Sequence, residues 1–141
     1  MVGVDGSAAS DRALAWAAVR AFAGDTSLHI VYVVQTRVWF DPCGHTAFVD
    51  IESPERAQQI LGEAVRSARS HVPWVQVTTQ VRGADRATAL VDEGRLAELI
   101  VLGRNRRRRT IGWFDASVTA QVARRASGRV VIVGPDDEFL V

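Results

Sequence analysis

Apolar residues fall into two recurring patterns along the chain. Met1 to Val4, Leu28 to Val34, Leu99 to Leu102 and Val130 to Val133 are nearly unbroken apolar runs, several of them β-branched. Runs of this length suit strands buried on both faces of a parallel sheet. Val75, Val77, Thr79 and Val81 alternate instead with Gln76, Thr78, Gln80 and Arg82. Strict alternation predicts a half-exposed strand at a sheet edge.

Between these runs the spacing becomes helical. Residues 8–23 are Ala-rich, with Leu14, Ala17, Ala18 and Ala21 on one face. Ser7 or Ser10 can cap the start, and Gly24 ends the segment. Ser53-Pro54-Glu55 combines a cap, a proline in the first turn and an acid beside the helix dipole. The helix it opens runs to about residue 71, with Ile60, Leu61, Ala64, Val65 and Ala68 inward. Gly83 turns the chain and Asp85 caps a helix over 86–97, weakened near its end by Gly94. Asp115 or Ser117 caps a last helix to about residue 126. Residues 36–52 have no clean period and contain Asp-Pro-Cys-Gly, which reads as a long loop.

The order is therefore β-α-β-α-β-α-β-α-β. It predicts a single-domain α/β fold, a parallel sheet with helices on both faces and right-handed crossovers. Such sheets bind ligands beyond the carboxyl ends of their strands, where strand order reverses. The loops to inspect are 5–8, 34–52, 83–86 and 103–117.

Composition narrows the class. The 141 residues suit one domain, expected over 1–134 with an acidic tail over 135–141, and 48% apolar content supplies a core without staples. Cys43 is the only cysteine, which excludes an internal disulfide framework and a Cys-rich zinc site. No apolar run approaches the roughly 20 residues of a membrane helix, and Met1 to Ser7 carry no basic leader. A cytoplasmic protein with no membrane partner is expected.

Charge is concentrated. Every basic residue is arginine; residues 1–103 hold nine against twelve acids, while residues 104–129 hold eight against Asp115 alone. Residues 130–141 hold three acids and no arginine, so the net charge is +1. One basic segment on a nearly neutral protein favours anionic partners.

Two loops could carry chemistry. Val4-Asp5-Gly6-Ser7 follows the first strand, and Gly103-Arg104-Asn105-Arg106 follows the fourth. Gly103 lets a ligand approach the backbone. The helix start near Ser117 offers free N–H groups, a positive dipole end and a hydroxyl to a phosphate. Spacing alone slightly favours a plain turn at Gly103 and a plain cap at Ser117, since a glycine after a strand is common.

At this point the sequence resembles a known family. Val2-Gly3-Val4-Asp5-Gly6-Ser7 with Ala13-Leu14-Ala15-Trp16-Ala17 resembles the opening of the universal stress protein domain. Gly83-Ala84-Asp85 with Ala87 and Ala89-Leu90 resembles its middle; Val101-Leu102-Gly103, Ser117-Val118 and Val130-Val131-Ile132-Val133 resemble its close. The resemblance covers essentially the whole chain. It implies an adenine nucleotide alpha-hydrolase-like fold, a five-stranded parallel sheet of order 3-2-1-4-5, and a homodimer often made through the last strand. Many members bind ATP through glycine, two residues, glycine, nine residues, then glycine and Ser or Thr. Here Gly103, Arg106, Ala116 and Ser117 occupy those positions. Asp5 matches the family's aspartate near the ribose and adenine, and Val33 a position whose backbone reads adenine. Ala116 adds one methyl group. Arg106 adds a bulky side chain where phosphate would approach, yet a guanidinium can itself grip phosphate.

The run Arg106 to Arg109 reads as a solvated loop, a phosphate grip or a nucleic-acid contact. Nucleic acid is the disfavoured partner, since the run lacks interleaved aromatics for base stacking; Trp113 and Phe114 read as loop anchors. Asp41, Cys43 and His45 are too few for a metal site, and His29, His71, Trp16, Trp39 and Trp74 read as structural. The sequence reading is a universal stress protein, not an enzyme, that binds an adenine nucleotide (ATP) weakly or conditionally as a regulatory ligand. The alternative is a nucleotide-free dimeric interaction module of the same family. The Val130 to Val133 strand, at the predicted sheet edge, is the expected dimer contact.

Overall fold

The computed structural model describes residues 1–50, 52–104 and 116–136. Strands β1 (Val2–Val4), β2 (Leu28–Phe40), β4 (Val77–Ala84), β5 (Leu99–Gly103) and β6 (Arg129–Val133) form a parallel sheet. Their spatial order is β4-β2-β1-β5-β6, which is 3-2-1-4-5 when only the parallel strands are counted. Helices α1 (Ala8–Ala23) and α2 (Pro54–His71) cover one face; α3 (Arg86–Glu93) and α4 (Ala116–Arg125) cover the other.

Each face has its own core. Val2, Val4, Ile30 and Tyr32 meet Leu14, Ala18, Leu61 and Ala64 on the α1/α2 side. Val31, Val33, Ile100 and Leu102 meet Leu90, Val118 and Val122 on the other. Side chains alternate across a strand, so neighbours Tyr32 and Val33 enter opposite cores. The helix starts follow from the capping residues. Ser7 Oγ accepts from the Ser10 N–H (3.2 Å), Ser53 Oγ from Arg56 (3.2 Å) and Asp85 Oδ2 from Thr88 (3.0 Å).

Residues 36–52 depart from the expected loop. β2 continues to Phe40 and turns back into β3 (Thr46–Asp50), an antiparallel hairpin with Val38 opposite Phe48 and Trp39 opposite Ala47. Asp-Pro-Cys-Gly is the hairpin turn: Gly44 N–H donates to the Asp41 carbonyl (3.0 Å) and Asp41 N–H to His45 (3.1 Å). Apolar residues stand at consecutive positions in Val38-Trp39-Phe40 and Ala47-Phe48-Val49, so no period-2 signal survives in the sequence.

Three boundaries also shift. β4 begins at Val77 rather than Val75, because Val75 N–H closes a turn onto Val72 (3.2 Å). The strand then runs through Gly83 to Ala84, since pairing with β2 continues as far as Gln35. α3 stops at Glu93 instead of reaching 97. Gly94 N–H bonds back to Leu90, and a 3₁₀ turn follows over Gly94–Leu96.

Candidate functional site

Register brings the candidate residues to one level. Val4 pairs with Tyr32, so Asp5 stands beside Val33 on β2. Val2 pairs with Val101, so Gly103 stands beside Val4. β1 lies between β2 and β5, where the winding of the sheet reverses. Asp5, just past the end of β1, and Gly103, the last residue of β5, therefore lie at the carboxyl edge next to Val33 of the longer β2, at the switch point where ligands enter such sheets.

The β1–α1 turn is built by short hydrogen bonds. Asp5 Oδ1 accepts from the Ser7 N–H (2.9 Å). Gly6 has φ +79, a left-handed conformation that disfavours other residues. The Ser10 hydroxyl accepts from the Asp5 N–H (3.3 Å) and donates to the Ser7 carbonyl (2.9 Å). Nearby, the Asp11 carboxyl is pushed up by burial and by the negative charges of Asp5 and Glu63.

Gly103 closes the opposite side. A Cβ there would fall inside the Ala9 carbonyl group and 2.9 Å from the Ser10 nitrogen. The side on which an L side chain would project is thus filled by the α1 backbone, which gives Gly103 a packing role of its own. Its neighbour Arg104 donates its N–H to the Val133 carbonyl (2.8 Å). Val33 is 1% exposed, its side chain in the α3/α4 core; it lies within β2, paired with Arg82 of β4 on one side and one residue past the last pair with β1 on the other. Arg106 lies outside the described residues, as do Arg107 to Arg109, Trp113, Phe114 and Asp115. Ala116 opens α4 and Ser117 follows it; their side chains also lie outside the description.

Several polar contacts were not visible in the sequence because their partners are remote. The Tyr32 hydroxyl donates to Glu52 at the base of the hairpin; burial and that bond push the phenol up. On the β4 side, His29 Nδ1 meets Thr78 Oγ1 (2.8 Å) and Nε2 meets Glu93 Oε1 (2.9 Å). The other Glu93 oxygen accepts from Arg82 Nε (2.6 Å). Burial pushes the Glu93 carboxyl up, but the bonds from His29 and Arg82 outweigh it and hold it below its ordinary value.

Asp41 spends its carboxylate on the hairpin turn, accepting from the Cys43 N–H (2.8 Å) and the His45 N–H (2.9 Å). No three metal-ligating side chains are grouped among the described residues. A cavity of about 640 Å³ lies at the other end of the sheet, lined by Trp16, Arg20, Leu28, His29 and Leu99 among others. Among the described residues no helix is long and apolar enough to cross a membrane.

Residues 1–134 match the sequence profile of the universal stress protein family. The chain belongs to the universal stress protein family. A universal stress protein of Mycolicibacterium smegmatis is 31% identical over an alignment that covers 98% of this chain and 48% of that protein. One from Mycobacterium tuberculosis H37Rv is 28% identical over 99% of this chain and 49% of its own length. The chain thus spans about half the length of these curated relatives. Among solved structures, a universal stress protein from Archaeoglobus fulgidus superposes with TM-score 0.70 at 21% identity, over 94% of this chain and 95% of that one. A universal stress protein in complex with cAMP gives 0.69 at 24%, over 94% and 93%. The A. fulgidus protein in complex with dAMP gives 0.67 at 19%, over 94% of each. These likenesses establish the fold as that of universal stress proteins, adenine nucleotide alpha-hydrolase-like.

Proposed function

We propose that this family member binds an adenine nucleotide at the carboxyl edge of β2, β1 and β5, as a regulatory ligand rather than a substrate. The observation that carries the reading is the register that sets Asp5 beside Val33 and Gly103 beside Val4 at the switch point. In this arrangement the Asp5 carboxylate accepts from ribose hydroxyls, and the Val33 main chain faces the base. Gly103 and the start of α4 at Ala116 and Ser117 take the phosphates, where N–H groups and the helix dipole favour anions. Arg106 stands where the family's second glycine would, and makes ATP binding weak or conditional. Support also comes from similar proteins whose complexes contain cAMP and dAMP. No reaction is assigned to the site. Mass spectrometry of small molecules released from native protein, followed by titration with ATP and AMP, tests it. Release of an adenine nucleotide with saturable rebinding is expected; empty protein that takes up neither ligand at millimolar concentration rejects the reading.

A second reading is favoured by one observation. Arg106 and Ala116 replace two of the three motif glycines, which suits a nucleotide-free dimeric module working in the cytoplasm. Its contact is the outer edge of β6, which among the described residues pairs with β5 alone. The same titration separates the two readings.

A further inference from the structure

The two sides of the crevice meet at one residue. Ser10 is 1% exposed. Its hydroxyl accepts from the Asp5 N–H and donates to the Ser7 carbonyl, while its own N–H donates to Ser7 Oγ. These bonds hold the turn that carries Asp5. The Ala9–Ser10 peptide is also the surface against which Gly103 rests with no room for a methyl group. The hydroxyl thus fixes the first loop, and the backbone of the same residue fixes the start of the second. The hydroxyl's one proton is donated and one of its two lone pairs accepts, and at 1% exposure the group serves as a link within the turn.

We infer that Ser10 is a positioning residue for the crevice: it sets the spacing between the Asp5 carboxylate and the Gly103 end of β5. The inference rests on the nucleotide reading for its ligand but not for its geometry. It acts through Asp5, so its effect on binding and that of Asp5 overlap. Residues that share one network give non-additive effects, whereas independent residues add.

The test compares wild type, Ser10→Ala, Asp5→Asn and the double variant, each shown folded by circular dichroism at the titration temperature. Ser10→Cys replaces Ser10→Ala if the alanine variant does not fold; its thiol has similar size but bonds weakly. With ATP or AMP, Ser10→Ala is expected to weaken binding about tenfold, the worth of one hydrogen bond. The double variant should bind only as weakly as Asp5→Asn. Wild-type affinity in folded Ser10→Ala, or fully additive losses, overturns the inference. If wild type binds neither nucleotide, the functional reading fails and hydrogen exchange decides the positioning role. Ser10→Ala should then speed exchange of the Asp5 amide and, across the crevice, of the Arg104 amide. Unchanged protection at Arg104 overturns it.

Discussion

The two edges of the sheet are finished differently. β4, at one edge, turns Thr78, Gln80 and Arg82 to solvent. It is pinned by side chains, because Glu93 at the end of α3 reaches both Arg82 on β4 and His29 on β2. His29 thus bridges α3 and β4, with Nε2 against Glu93 and Nδ1 against the Thr78 hydroxyl. β6, at the other edge, presents Val130, Val131 and Ile132, with Ile132 37% exposed. Its ion pair, Arg129 to Glu98 at 3.0 Å, is between largely exposed groups and adds about 0–1 kcal/mol. Polar and charged edges resist pairing with another strand, whereas flat apolar edges invite it. The β4 edge thus carries the polar side chains that end a sheet, whereas the β6 edge is largely apolar.

Breaking the β6 edge should have the largest effect. The sequence alone points to Val131→Arg as the disruptive change, but Val131 also packs on the α1/α2 core. The exposed Ile132 is therefore the cleaner position. If two copies pair through β6, Ile132→Arg sets like charges against each other, at a cost of several kcal/mol in the dimer. Analytical ultracentrifugation should find dimeric wild type and monomeric Ile132→Arg. Thr79→Arg, at the β4 edge, should leave assembly unchanged. A wild type that sediments as a monomer at micromolar concentration removes the distinction between the edges.

The next effect concerns what anchors the β6 half to the rest. Gly103 pairs with Val133 and packs on the α1 backbone. The obstruction is main chain, which has no rotamer to change. Gly103→Ala should therefore destabilise by about 3 kcal/mol, the upper end for overpacking. Denaturant unfolding measures it; a loss under about 1 kcal/mol would show that α1 slides freely over β5.

Glu93 tests the β4 half. Glu93→Gln keeps the shape but removes the charge that holds Arg82, at a cost of about 1–3 kcal/mol for a charge-assisted hydrogen bond. The sign of its pH dependence follows from the lowered carboxyl. A group whose folded pKa is depressed contributes fully above its ordinary value, here 4.5, and loses that contribution as pH falls through the folded value. Wild type should melt above Glu93→Gln at neutral pH, with the gap closing below 4.5. A gap that stays constant into acid would assign the stability to shape alone.

These contrasts show what a sequence can disclose. The parallel order, the caps at Ser7, Ser53 and Asp85 and the edge position of β4 follow from local spacing and capping chemistry, and local signals need no knowledge of distant partners. The β2–β3 hairpin escaped because its apolar residues are consecutive in sequence rather than alternating. His29 read only as structural because its partners Thr78 and Glu93 are 49 and 64 residues away. At the site, Asp5 and Gly103 were legible as strand-end residues. Ser10 was legible only as a possible cap, although the structure uses Ser7 as the cap and Ser10 as its buried support. The signal was present in the Asp-Gly-Ser-x-x-Ser spacing, but the contact with Gly103 exists only in the folded chain.

The smallest effect concerns charge on the β6 side, where residues 104–129 hold eight arginines. Arg106 occupies the second glycine position of the family's phosphate motif, and two effects oppose each other there. A side chain obstructs close approach of phosphate to the backbone. A guanidinium supplies a charge-assisted hydrogen bond of about 1.5–3 kcal/mol. Arg107, Arg108 and Arg109 follow directly, so most of the local charge survives the loss of one arginine, whereas the obstruction is removed entirely. The steric effect should win. Arg106→Gly is expected to tighten ATP binding about fivefold to tenfold, or roughly 1 kcal/mol. Charge from the remaining arginines should still make binding weaken with salt, since exposed charges are screened within about 10 Å at 0.1 M. Isothermal titration of both proteins at two salt concentrations measures this. Weaker binding by the glycine variant, with a shallower salt dependence, would show instead that Arg106 itself holds the phosphate.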